Sequence, residues 1–122
     1  MSEIMKEAMT DKMDDLLDHM RENYVNWSRS GPDGSTDIKT EMEEEYADGL
    51  VYEYGSKYIK VISGKRNQNS VCLFVVNTDR DKKFRFGDIL KPAGWAAPAR
   101  NFARGNVFEE DGFNRVQWTG AY

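Results

Sequence analysis

SVCLFVVN, residues 70–77, is the stretch whose reading decides the fold. It is apolar without a break from Val71 to Val76. Extended, it sends Val71, Leu73 and Val75 to one face and Cys72, Phe74 and Val76 to the other. A strand that is apolar on both faces belongs in the middle of a sheet with material above and below it. The same placement buries Cys72, and a thiol in apolar surroundings is poorly ionised and inert. As the only cysteine, it forms no intramolecular disulfide and fits a reducing compartment.

The flanks supply the neighbours. Leu50–Tyr54 and Lys57–Ser63 border Gly55-Ser56, which reads as a hairpin. In the second run Tyr58, Lys60 and Ile62 alternate with Ile59 and Val61, so a lysine stands among apolar neighbours on one face. A polar, basic loop with Lys65 and Arg66 leads into the central strand. Beyond it, Phe84–Lys91 reads as another strand, kinked at Gly87-Asp88 and limited in its pairing by Pro92. The whole of 84–108, FRFGDILKPAGWAAPARNFARGNVF, is neither a long helix nor a plain strand. Its glycines, its two prolines and Trp95 predict a shaped surface, with Trp95 as a packing anchor. Within it, Ala99–Arg104 is expected to form one or two helical turns, begun behind Pro98 and closed by Gly105-Asn106. That would stack Arg100 over Arg104. Glu109–Gly112 reads as a turn and Arg115–Thr119 as a last short strand.

Residues 3–27 carry the clearest helical pattern. Met5, Met9, Met13, Leu16, Met20, Tyr24 and Trp27 recur every three or four positions, opposite Glu7, Asp11, Asp14, Asp18 and Glu22. Ser2 is the expected cap. Such a helix is ~37 Å long, against a diameter of ~35 Å for a compact chain of this size. It therefore spans the domain or protrudes from it. Its stripe is either core or, through Met5, Met9, Met13, Leu16 and Met20, a surface for a second copy. His19, at the edge of the stripe, is expected to pair in solvent with Asp15 one turn earlier. A second helix is expected over 37–47, capped by Thr36, with Ile38, Met42 and Tyr46 inward. Glu41 and Glu43–Glu45 read as a solvated face, since consecutive helical glutamates diverge and no His or Cys accompanies them.

The expected fold class is therefore α+β: a long N-terminal amphipathic helix and a second short helix packed on a small, mostly antiparallel sheet of four to five strands. A length of 122 residues fits a single domain, with a helical acidic part at 1–48 and a β-rich basic part at 49–122. No apolar run nears the ~20 residues that span a bilayer, and the N-terminus is acidic where a signal peptide would be basic. No membrane partner and a cytoplasmic location are expected.

The net charge of −4 hides an asymmetry. Residues 1–54 hold 15 acidic against 5 basic side chains, and residues 55–122 hold 6 against 12. Either the halves neutralise each other, within one chain or between copies, or the basic half meets an anionic partner.

KYIKVI (57–62), SVCLFVVN (70–77), KKFRFGDILKPAGWAAPARNFARGNVF (82–108) and the late WTG (118–120) together resemble a small uncharacterised family of tailed-phage and marine phage-like proteins. The resemblance covers roughly 50–120. It is carried best by a Gly-Asp-Ile…Trp-x-Ala-Pro-Ala-Arg…Arg-Gly-Asn segment: Gly87, Asp88, Ile89, Trp95, Ala97, Pro98, Ala99, Arg100, Arg104, Gly105 and Asn106. It implies a phage origin and life in the host cytoplasm, and it implies no activity and no cofactor.

The sequence holds no phosphate-binding glycine loop, metal-ligand spacing or serine elbow. A non-enzymatic accessory protein is expected, either a protein-interaction or self-assembling module meeting a host protein or its own copies, or a nucleic-acid-binding module. The candidate contacts are Lys57, Tyr58, Lys60, Lys65, Arg66, Trp95, Arg100 and Arg104. Cations and aromatics together are what phosphates and bases require. Convergence of these residues with Trp95 or Tyr58 on one exposed face would favour nucleic acid. Neutralisation by Glu41–Glu45 would favour the other reading.

Overall fold

In the computed structural model, which describes residues 3–29, 37–65 and 68–122, the run 70–76 does lie at the centre of a sheet. The elements are α1 (Glu3–Arg29), α2 (Asp37–Gly49), β1 (Leu50–Tyr54), β2 (Tyr58–Lys65), β3 (Gln68–Val76), β4 (Asp88–Leu90), β5 (Gly105–Asn106), β6 (Val116–Gln117) and β7 (Gly120–Ala121). β1 to β5 form a five-stranded antiparallel meander in chain order, with β3 in the middle. β6 and β7 make a separate hairpin. The fold is α+β, as expected.

Both helices cover one face. Met9, Met13, Leu16, Leu17, Met20 and Tyr24 of α1 meet Tyr46 of α2 and Ile59, Val61, Leu73, Val75 and Ile89 of the sheet in one buried cluster. Each such apolar side chain contributes roughly 1.5–3 kcal/mol. This settles where the stripe goes. Met9, Met13, Leu16 and Met20 are at most 1% exposed inside their own chain, so they offer nothing to a second copy. The side chain of Met5 lies outside the described residues, as do Ser2, Thr36 and Arg66.

The other face carries a smaller core of Phe74, Val76, Leu90 and Phe84, with Tyr58, Val71 and Ala103 at its margin. The strand is thus covered on both sides, but its facing differs from simple alternation. The β2–β3 register steps from Val61↔Leu73 to Ile62↔Val71, passing over Cys72. This bulge turns Cys72 to the helical side with Leu73 and Val75, and leaves Val71 with Phe74 and Val76. Burial pushes the Cys72 thiol up to about 11. The backbone of Gly120 (φ +125°) sits against the bulge, where a Cβ would fall 2.1 Å from the Cys72 carbonyl oxygen.

Three local expectations are corrected. Of the strand expected over 84–91, only Asp88–Leu90 pairs, because Gly87 (φ +91°) turns the chain just before it. Residues 99–104 form no helix: the Arg104 N–H goes to the Ile89 carbonyl at 2.7 Å instead of back along its own segment. His19 makes no ion pair with Asp15. Its Nε2 donates to the Val116 carbonyl at 3.0 Å and its ring lies 5.3 Å from that of Phe113.

Candidate functional site

The surface that stands apart is built over the outer face of the sheet by residues 84–108. Both ends of this segment are tied down first. Asp88 is buried. One of its carboxylate oxygens accepts the Arg85 N–H at 2.8 Å, and the other accepts Asn106 Nδ2–H at 2.9 Å. The Asn106 amide also donates to the Phe86 carbonyl (3.0 Å), and its oxygen accepts the Phe108 N–H (2.8 Å). Gly87 leaves room for the Phe108 ring, which a Cβ would approach to 2.7 Å. With both oxygens engaged, Asp88 serves as a structural acceptor.

Between these ties residues 91–99 close a loop. The Ala99 N–H bonds the Lys91 carbonyl (2.7 Å), the Ala93 N–H bonds the Ala97 carbonyl (3.0 Å), and Pro92 bridges to Pro98. Trp95 stands at the tip. It is 51% exposed, which overturns its reading as a core anchor. Its indole receives the Lys60 ammonium 4.5 Å from the ring centroid, and the same ammonium lies 5.9 Å from the Phe74 ring. Lys60 faces Phe74 because the two are register partners across β2 and β3. Tyr58, two residues back along β2, meets Phe74 edge-on at 5.9 Å. Beside them runs a groove of about 380 Å³ lined by Tyr54, Lys57, Tyr58, Lys60, Phe74 and Ala96, with Glu53, the β1 register partner of Lys60, as the one acidic residue among the described lining.

Arg100 closes one side. Its guanidinium donates to the Tyr58 hydroxyl, pairs with Asp81 at 3.0 Å and lies 4.9 Å over the Phe84 ring, while Lys83 donates to its carbonyl. Lys57, Lys60, Lys82, Lys83 and Lys91 form no ion pair among the described residues. The acidic helix α2 packs against the sheet from the opposite side, so Glu41–Glu45 do not neutralise this face.

The candidate residues therefore divide. Lys57, Tyr58, Lys60, Trp95 and Arg100 come together. Arg104 does not join them. It is 8% exposed, bonded to Asn101 Oδ1 (2.8 Å) and the Phe102 carbonyl (2.6 Å), and stacked 3.8 Å from the Phe102 ring. Lys65 ends β2 with its side chain outside the described residues. Phe74 and Asp81 were missed. Phe74 looks like core in any local window, and only the strand register puts it under Lys60. Among the described residues no three His, Cys, Asp or Glu side chains gather as a metal site, and no helix is long and apolar enough to cross a membrane.

Over residues 2–122 the chain matches a family described as a family of unknown function, DUF7717. It belongs to that family. Comparison with curated proteins and with solved structures gives no match. In this DUF7717 member the segment that carries the sequence resemblance has two parts with different tasks. Gly87, Asp88, Gly105 and Asn106 brace the loop from beneath. Trp95 and Arg100 present its outer surface.

The Asp81–Arg100 pair gives the site a pH dependence. The Arg100 guanidinium, with help from the N–H groups of Lys83 and Phe84, holds the Asp81 carboxyl well below the usual carboxylate range. A depressed carboxylate stabilises the fold fully above its unfolded value of ~3.9, and less as pH falls below that value. Asp81→Asn should therefore lower the urea midpoint at pH 6. The gap from the unsubstituted protein should narrow steadily between pH 4 and 2, and a gap unchanged across that range would rule out this linkage.

Proposed function

We propose that this DUF7717-family chain binds single-stranded nucleic acid across the outer face of its sheet and carries no catalytic activity of its own. The observation that carries the reading is the Lys60 ammonium held between a half-exposed Trp95 and the Tyr58–Phe74 pair, beside a groove with Lys57. Exposed indole and phenol rings stack on unpaired bases, and neighbouring ammonium groups take the phosphates. A duplex hides its base faces, so this chemistry favours single strands. The competing reading as a self-assembling module loses its main support, because the methionine stripe is spent on the core. The phage origin and host-cytoplasmic setting implied by the Gly-Asp-Ile…Trp-x-Ala-Pro-Ala-Arg…Arg-Gly-Asn resemblance belong to this proposal. In that setting the protein is an accessory factor meeting strands of the host or of the phage.

The test is a titration of labelled single- and double-stranded DNA and RNA oligonucleotides at several salt concentrations. The expected result is micromolar binding of single strands at low salt. The log–log slope should be about −0.7 for each phosphate neutralised, and duplexes should bind more weakly. Absence of single-strand binding at ~50 mM salt, where phosphate contacts are strongest, would overturn the proposal and leave a host protein as the partner to seek.

A further inference from the structure

A second concavity lies away from the cationic face, between α1 and the β6–β7 hairpin. It has a volume of about 570 Å³, within the range of small-ligand sites. Although 31% of the chain is charged, none of the ten described residues lining it is Asp, Glu, Lys or Arg. Two of the three tryptophans, Trp27 and Trp118, form one wall with ring centroids 4.9 Å apart and planes tilted by 40°. The Trp118 backbone is held on both sides: Asn23 Oδ1 accepts its main-chain N–H at 2.8 Å, and the Tyr46 hydroxyl donates to its carbonyl at 2.7 Å. Trp27 leans on Tyr24 from behind and is 56% exposed.

The opposite lining is amide. The side chains of Asn26, Asn114 and Gln117 make no hydrogen bond to the described protein. The Asn23 oxygen is committed to Trp118, which leaves its NH₂ as a donor. The His19 Nε2–H is spent on the Val116 carbonyl, which leaves Nδ1 as the ring's remaining polar atom.

This chemistry fits a flat, uncharged ring with donors and acceptors on its edge. Indole faces stack on such a ring, and a carboxamide sets a donor beside an acceptor as the edge of a base does. An anionic ligand would find no counter-charge among the described lining residues. A row of cations and rings also leads to the cavity from the loop that carries Arg100. The Arg115 guanidinium lies 5.7 Å from the exposed Phe102 ring and 5.6 Å from Tyr122, which lines the cavity, while the buried Arg104 only backs Phe102 from within the loop. Resting on the single-strand reading above, we propose that this pocket takes one unpaired nucleobase of the bound strand and gives the protein its base preference.

The experiment compares eight-nucleotide homopolymers of each base, and the four free nucleosides, on the full chain and on Asn114→Ala/Gln117→Ala. Both substituted side chains are exposed, so the variant should fold normally, with unchanged thermal unfolding as the control. The unsubstituted protein should prefer one homopolymer by about 10-fold, as one hydrogen-bonded base edge allows. The matching nucleoside should shift the Asn and Gln side-chain NMR signals. The variant should lose both effects and keep its affinity for the other homopolymers. Equal binding of all homopolymers, a preference that survives the double variant, or displacement by methyl glucoside in place of nucleosides would each overturn the inference. Loss of oligonucleotide binding with nucleoside binding retained would count against the sheet-face reading alone.

Discussion

Asn106→Ala should lower unfolding stability by about 3 kcal/mol, near the upper end for one polar side chain. The amide makes three bonds, to Asp88, the Phe86 carbonyl and the Phe108 N–H, and Asn106 itself is only 3% exposed. Truncation strands two backbone groups and leaves a buried carboxylate oxygen with only the Arg85 guanidinium at 3.7 Å. Each unmet buried group costs about 1–3 kcal/mol, partly recovered where water enters. In a domain of this size the melting temperature should fall by roughly 10 °C. Glu109→Ala is the contrast. It breaks an ion pair with Arg85 whose partners are 46% and 71% exposed, so it should leave the unfolding midpoint nearly unchanged. Urea unfolding of the two variants side by side decides the matter. A loss below ~1 kcal/mol at Asn106 would mean that the segment is not braced through this amide.

That brace marks the boundary of what sequence patterning reveals here. The centrality of residues 70–77 is legible because six consecutive apolar residues leave no face for water. The α1 stripe is legible because its period is local. The bulge at Cys72 is not, because Val71, Leu73 and Val75 alternate as perfectly on paper as any strand. What shifts them is the pairing with β2, together with the close approach of Gly120 from the far end of the chain. The expected helix at 99–104 had genuine local signals in Pro98 and Gly105. A helix needs the Arg104 N–H to bond the Arg100 carbonyl. Instead Ile89 accepts the Arg104 N–H and Lys83 bonds the Arg100 carbonyl. Tertiary bonds outbid a segment too short to be helical alone. The same rearrangement separates two arginines that the sequence had stacked, so one is surface and the other is structure.

Trp95→Ala should weaken single-strand binding by roughly 10- to 100-fold, since one base–aromatic stack is worth about 1–3 kcal/mol. The effect should be clean. The ring is 51% exposed at the tip of a loop closed by its own backbone bonds, so its loss removes little buried area. Lys60→Ala should weaken binding less at high salt than at low salt, and should flatten the salt slope by about 0.7, the share of one phosphate. The two effects should not add fully in the double variant. The ammonium sits 4.5 Å from the indole centroid, so each side chain orients the other. Arg100→Ala belongs in the same series, whereas Arg104→Ala does not. Arg104 is a buried group bonded within its own loop, and its removal would report on folding before it reported on binding. Arg100 is already paired with Asp81, so its loss should cost less binding than that of Lys60. A ranking with Trp95 and Lys60 above Arg100, at unchanged melting temperature for Trp95→Ala and Lys60→Ala, is what stacking on this face requires; Arg100→Ala also breaks the Asp81 pair and should lower stability somewhat. Equal small losses at all three would point to diffuse charge attraction with no defined site.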